Sequence, residues 1–231
     1  MKQVLEGKKI VVTGGFGVLG RAVGNALMEA GSQVALVDKV PAPSDLQGSA
    51  HAWDEVDLND GEAARSCLAA AAERLGGLDG LVNVAGGFAL ETVEDGTVDT
   101  WDLMYAMNVR TALLSSQAAL PHLVRRGGGR IVNVGALAAT HAWAGMGAYA
   151  ASKAGLARLT EAMAEELKDR SITVNAVLPS IIDTAANRAA MPHEDATRWV
   201  DPAALARVIV FLQSESASPI TGALIPVRGR V

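Results

Sequence analysis

Short apolar runs alternate with longer Ala- and Leu-rich amphipathic stretches along all 231 residues, and this alternation limits the possible folds more than any other feature. Lys9–Thr13, Gln33–Val37, Gly80–Val84, Arg130–Val134 and Ile172–Val177 read as buried strands, and Ala223–Val227 closes the series; these six have residue bounds, and seven strands are expected in all. Val18–Ala30 reads as a helix capped by Gly31, and Asp60–Leu75 as one stopped by Gly76-Gly77. Thr100–Arg126 reads as a long helix kinked at Pro121, and Tyr149–Asp169 as another. Asp201-Pro202 opens a helix reaching about Gln213, with Asp as N-cap and Pro at the first helical position. A Pro-rich loop covers Val40–Gly48. Strands that alternate with helices connect by right-handed crossovers, which requires a parallel sheet covered on both faces. The expected fold is therefore α/β: one doubly wound, seven-stranded parallel sheet in a single domain over 1–231.

Composition narrows the function classes. Half the residues are hydrophobic but only 4% are aromatic, so the core must be aliphatic. A net charge of −5 argues against nucleic acid or an anionic membrane as partner, since both reward a basic face. The one cysteine, Cys67, excludes an internal disulfide and a cysteine-based zinc site, and reads as a small core residue. His51, His122, His141 and His193 have no metal-ligand spacing, so no metal is expected. Ile10-Val11-Val12 is too short for the apolar part of a secretory signal. The uncharged stretch over 131–152 is broken by Asn133, Thr140, His141 and glycines. A soluble, cytoplasmic protein is the expectation.

Two constellations carry chemistry. Gly14, Gly17 and Gly20 lie between the first strand and first helix, where glycines allow a tight turn and close approach of backbone N–H groups to a pyrophosphate. Phe16 and Leu19 share that loop, and Asp38 follows Gly20 by 18 residues at the end of the second strand. A carboxylate there accepts bonds from ribose hydroxyls and repels a 2′-phosphate. That favours NAD over NADP, with Lys39 partly offsetting the repulsion. Tyr149 and Lys153, at i and i+4 on one helix face, pair a phenol with a cation that lowers its pKa for proton transfer.

Together these features resemble the short-chain dehydrogenase/reductase family over essentially the whole chain. The resemblance implies a catalytic set of Tyr149, Lys153 and Asn108, with Asn108 holding a relay water. It implies further cofactor contacts from Asp57-Leu58 at the adenine, from Asn83, Ala85 and Gly86, and from Pro179, Ile182 and Thr184 near the nicotinamide. It also implies a substrate lid at about 179–200 and a homodimer or homotetramer packed through the helices Thr100–Arg126 and Tyr149–Asp169.

This chain departs from the family pattern at three places. Val18 stands where most simple members have the middle glycine, Ser180 replaces the glycine after Pro179, and Ala136 occupies the position of the catalytic serine, 13 residues before Tyr149. The quinonoid dihydropteridine reductases lack that serine in a similar way. Gly135-Ala136 and Leu178-Pro179…Asp183-Thr184…Asn187-Arg188…Met191-Pro192…Asp195…Trp199 resemble their sequences, although that branch does not keep the equivalent of Asn108. Three functions stay open. The first is an NADH-dependent reductase of a conjugated imine, quinonoid or carbonyl compound. The second is an ordinary alcohol dehydrogenase or ketone reductase in which Thr140 or water replaces the serine. The third is a catalytically silent dinucleotide-binding protein. His141, Trp143 and Trp199 are candidate substrate walls, and Asp183 with Arg188 either shapes the lid or forms an exposed pair.

Overall fold

In the computed structural model, which describes residues 3–44, 46 and 51–231, every strand of the single sheet runs parallel to its neighbours. The strands are β1 (Lys9–Thr13), β2 (Gln33–Val37), β3 (His51–Trp53), β4 (Gly80–Asn83), β5 (Gly129–Val134), β6 (Ile172–Pro179) and β7 (Leu224–Val227). Their order is β3-β2-β1-β4-β5-β6-β7, so the winding reverses between β1 and β4. A crevice opens beyond the carboxyl ends of the strands at such a reversal. Parallel strands are buried on both faces, and the side-chain period of two assigns alternate residues to opposite layers. Ile10 and Val12 of β1 pack with Val34, Leu36, Val82 and Val132 against α1 (Val18–Glu29) and α7 (Pro202–Gln213). Val11, Ala35, Val37, Leu81 and Ile131 face the other layer. That layer holds α2 (Gly61–Leu75), α4 (Thr111–Arg125) and α5 (Gly147–Leu167). The core is aliphatic as expected, with Phe16 and Trp199 the aromatic exceptions among the described residues.

Helix ends follow their capping residues. Asp60 accepts from the N–H groups of Glu62 and Ala63, Asp201 accepts from Ala203, and Gly76 ends α2 in the left-handed region at φ +71°. Three elements differ from the sequence reading. β3 was not delimited by any apolar run, because it is a three-residue edge strand that buries little. The segment read as Thr100–Arg126 begins at Val98, behind the Thr97 cap, and is divided. Helix α3 (Val98–Tyr105) passes into a π-helical turn over Ala106–Arg110, where the Thr111 N–H reaches back to the Ala106 carbonyl, and only then into α4, which runs on through Pro121. Third, α5 starts two residues before Tyr149, and a 3₁₀ turn over Lys168–Arg170 follows it. Of the Val40–Gly48 loop, Asp45, Gln47 and Gly48 lie outside the described residues. Among the described residues, no helix is long and apolar enough to cross a membrane.

Candidate active site

The glycine loop lies at the winding reversal. Gly14 adopts φ +62°, and a Cβ there would come within 2.7 Å of the Ala85 nitrogen, so the β1 and β4 ends approach as only glycine allows. A Cβ on Gly20 would collide with the Gly14 carbonyl oxygen. Gly17 is the N-cap of α1 and supplies no side-chain cap, leaving the first-turn N–H groups of Val18, Leu19 and Gly20 outside the helix's own bonding pattern. Val18 at the departure position points outward, 55% exposed, so it does not fill the loop. The Asp38 carboxylate sits against this loop: it accepts from the Phe16 N–H at 3.0 Å and from the Lys39 N–H at 2.7 Å. Lys39 turns its ammonium to Asp57 at 2.9 Å, which holds the Asp57 carboxyl below its usual range, with the Asn59 N–H assisting. Leu58, by contrast, is buried in the core under α2. Neighbouring β4 ends in a buried ladder: Asn83 Nδ2 donates to Ser116 and to Asn133 Oδ1, and Asn133 Nδ2 donates to Thr160.

Tyr149, Lys153 and Asn108 come together beside Gly86. Lys153 is 5% exposed, donates to the Val134 carbonyl at the tip of β5 at 2.9 Å, and lies 5.9 Å from the centre of the Tyr149 ring. Burial brings its ammonium down to about 8. Burial likewise pushes the Tyr149 phenol up to about 12, which corrects the expectation of a lowered value. Without a bound partner, desolvation of the phenolate outweighs the attraction of a cation at that distance. Asn108 belongs to the π-helical turn, a common device for re-aiming a side chain at a site. Its Oδ1 accepts from the Gly87 N–H, and its Nδ2 donates to the Gly87 carbonyl and to Ser152 Oγ, each at 3.0 Å. The side chain expected to hold a relay water is thus committed to fixing the loop after β4. Ser152 in turn donates to the Tyr149 carbonyl at 2.7 Å. Gly86 is wedged between these groups: a Cβ would meet Asn108 Oδ1 at 2.6 Å and Lys153 Nζ at 3.4 Å.

Ala136 is 7% exposed and packs with Ala138 and Ala150 under Met146 and Tyr149, so the methyl group forms part of an apolar wall next to the phenol. Thr140, the proposed substitute, is exposed and spends its hydroxyl proton on the Leu137 carbonyl at 2.8 Å. Phe88 stacks edge-on against Tyr149 with centroids 4.9 Å apart, and His141 does the same with Trp143 at 5.0 Å. Phe88 and Trp143 are 59% and 55% exposed, whereas Trp199 is buried.

Beyond Pro179 the chain departs from the sheet and returns at Val200, where Ile182 and Val200 form a parallel bridge. Between these points the Thr184 hydroxyl caps the short helix α6 (Ala185–Ala190), accepting from the Asn187 N–H at 3.1 Å, and Asn187 Nδ2 donates to the Ile182 carbonyl. Ser180 explains its own departure from the family pattern: its hydroxyl donates to the Arg228 carbonyl at 2.6 Å, tying this segment to the C-terminal residues. Asp183 and Arg188 form an exposed two-pronged pair. Sequence reasoning assigned no role to Phe88, Ser152 or Ser116. Phe88 carried a signal, an aromatic directly after Gly86-Gly87; the two serines carried none, because their partners are distant in the chain.

A family model described as short chain dehydrogenase matches residues 8–195, and the chain belongs to that family. It is 31% identical to 2,5-dichloro-2,5-cyclohexadiene-1,4-diol dehydrogenase LinX of Sphingobium indicum, over 99% of this chain and 98% of the relative. It is 32% identical to the 3-oxoacyl-[acyl-carrier-protein] reductase FabG of Vibrio harveyi, over 97% of each. Carveol dehydrogenase from Mycobacterium avium, solved in complex with NAD, superimposes with a TM-score of 0.87 at 25% identity, covering 98% of both chains. Oxidoreductase chemistry on a small molecule and the Rossmann-type fold follow from this membership. The narrower likeness to the quinonoid dihydropteridine reductases gains no support from these relatives.

Proposed function

We propose that the chain is an NAD-dependent oxidoreductase, with NADH preferred over NADPH, that acts on a small carbonyl, imine or quinonoid compound. The observation that carries the reading is a buried Lys153, held by the Val134 carbonyl at the end of β5, beside Tyr149 and two strands from β1 with its glycine loop. The residues present fit a dinucleotide. A Cβ would fill the loop at Gly14 and Gly20, the α1 N-terminus lacks a side-chain cap, and Asp38 lies one hydrogen bond from Phe16. Gly14, Phe16, Gly17, Leu19 and Gly20 would take the pyrophosphate side and Asp38 the ribose hydroxyls. Asn83, Ala85 and Gly86 would support the middle of the cofactor, and Pro179, Ile182 and Thr184 its nicotinamide end. Asp57 would approach the adenine together with the Leu58 backbone, since the Leu58 side chain is core. Bound there, the nicotinamide supplies or accepts the hydride.

The chain's own residues do the rest. Tyr149 gives a proton to the reduced oxygen or nitrogen, and Lys153 stabilises the phenolate left behind and binds ribose. Asn108 and Ser152 position Gly87 and the Tyr149 backbone. Phe88 limits how the phenol can turn. With Ala136 in place of a hydroxyl, no side chain at that position holds a substrate oxygen. A conjugated imine or quinonoid compound tolerates this, because the charge that arrives with hydride spreads over its own nitrogens. The segment 179–200 serves as lid, and the protein works as a homodimer or homotetramer in the cytoplasm, without nucleic acid or membrane. Fluorescence titration with NADH and NADPH tests the cofactor assignment. NADH should bind more tightly, and Asp38→Ala should narrow the difference; tighter NADPH binding would overturn it.

A further inference from the structure

Of the three Phe, four Trp and two Tyr in this chain, only Phe16 and Trp199 are buried. The aliphatic core does without the others, and four of them gather at the first turn of α5. Phe88 meets Tyr149 edge-on, with ring centroids 4.9 Å apart. Trp143 opens the turn into the helix: its carbonyl accepts from the N–H of Met146, the N-cap of α5, at 3.0 Å. Trp101 lies over Gly147, where a Cβ would come within 3.3 Å of the indole Cζ2.

The loops after β4 and β5 are fastened to each other here. The Glu91 N–H donates to the Gly145 carbonyl at 2.8 Å, and Leu90 Cδ1 would stand 3.0 Å from a Cβ on Gly145. Phe88, Leu90, Trp101 and Trp143 thus fringe one opening, and all four remain exposed. Single exposed apolar residues are ordinary, whereas a gathered set marks a surface that something covers. This set begins on the phenol itself. The group that covers it is therefore joined to the atom that Tyr149 protonates.

We infer that Phe88 and Trp143 determine substrate specificity by holding a flat, conjugated or aromatic ring next to the reacting carbon. The inference rests on Tyr149 as proton donor and adds the shape of what it protonates: a planar ring system in place of an open chain or a saturated ring. Aromatic side chains gain more from a flat partner, stacked or edge-on, than from an aliphatic one of equal area. Ala136 points to the same class from a separate observation. A conjugated ring spreads the charge that arrives with hydride, which suits a wall that offers no hydroxyl.

Calorimetric titration with 2-naphthol and with decahydro-2-naphthol tests this, because the two alcohols share a skeleton and differ in flatness. 2-Naphthol should bind with a dissociation constant of about 1 mM or tighter, about tenfold below that of the saturated alcohol. Phe88→Ala and Trp143→Ala should each weaken it about fivefold, the effect of one aromatic contact, and change the saturated alcohol little. Phe88→Leu keeps apolar bulk without the flat face and should weaken 2-naphthol nearly as much as alanine does. Both side chains are exposed, so the fold should survive these changes. The inference is overturned if 2-naphthol does not bind, if both alcohols bind equally, or if binding survives all three substitutions. It is also overturned if the substitutions lower the mass seen by light scattering and leave ring binding intact, the fringe then being an interface between copies. NADH affinity, measured in the same proteins, separates this from the cofactor assignment. NADH binding without 2-naphthol binding sinks the ring alone, and 2-naphthol binding without NADH binding sinks the cofactor alone.

Discussion

The two edges of the sheet treat charge in opposite ways. At the strand starts, cations sit in ion pairs that each keep at least one partner open to solvent: Arg126 with Asp79, Arg130 with Glu215, Lys168 with Glu165. At the strand ends, Lys153 is buried with a backbone carbonyl as its hydrogen-bond acceptor. A surface pair contributes little to stability, whereas a buried cation without a counter-charge costs a great deal. Burying this lysine beside a phenol, where most other charges have solvent or partners, is the cost that the proposed chemistry at the strand ends would account for.

Replacing the phenol should have the largest effect. Tyr149→Phe should lower turnover about 10²–10⁴-fold, the usual contribution of a positioned acid, and leave NADH affinity nearly unchanged in a direct titration. Near-normal turnover would show that the proton comes from elsewhere and would erase the contrast between the edges.

Lys153→Met tests the cost of the buried cation. In the folded chain Lys153 titrates near 8, against an ordinary 10.5, so between those values the unfolded chain binds more protons than the folded one. Stability therefore rises with pH through that window, and the charged lysine costs on the order of 3 kcal/mol below it. Chemical denaturation across pH 7–11 should show the rise in the parent and lose it in Lys153→Met, which should also be the more stable protein at pH 7 while losing activity. Tyr149, raised to about 12, has the opposite sign: its contribution is intact below pH 10 and is lost as pH climbs toward 12.

The smallest effect belongs to the strand starts. Arg126→Ala removes the exposed partner of a pair whose carboxylate, Asp79, is 11% exposed but keeps the Lys9 N–H as donor, and should cost about 1 kcal/mol by denaturant melting. A larger loss would mean that this edge, too, relies on charge.

What could be read from the sequence follows the range of the interactions. Asp60, Gly76 and Asp201 act on N–H or C=O groups a few residues away, so the helix ends they cap were legible. That the sheet is parallel followed from alternation alone, because parallel strands bury both faces and leave a long aliphatic run; the order of the strands did not. β3 was not legible, since three half-buried edge residues leave no pattern. Nor was the π-helical turn, whose extra residue is held by Asn108 gripping Gly87, 21 positions away. Spacing placed Tyr149 and Lys153 on one helix face, but their titration depends on burial by β5 and by loops distant in sequence. The alanine at 136 could be read directly; that Thr140 spends its hydroxyl proton on the Leu137 carbonyl could not.

Ala136 carries the central claim, that the wall beside Tyr149 suits a substrate needing no hydroxyl to hold its oxygen. The direct measurement compares NADH oxidation by the parent and by Ala136→Ser, each with a simple ketone and with a conjugated imine or quinonoid dihydropterin. The parent should favour the conjugated compound. The serine should raise ketone reduction by up to about 10²-fold, the low end for one added oxyanion donor, and change the conjugated reaction little. Brisk reduction of the simple ketone by the parent, unchanged by the serine, would contradict the account.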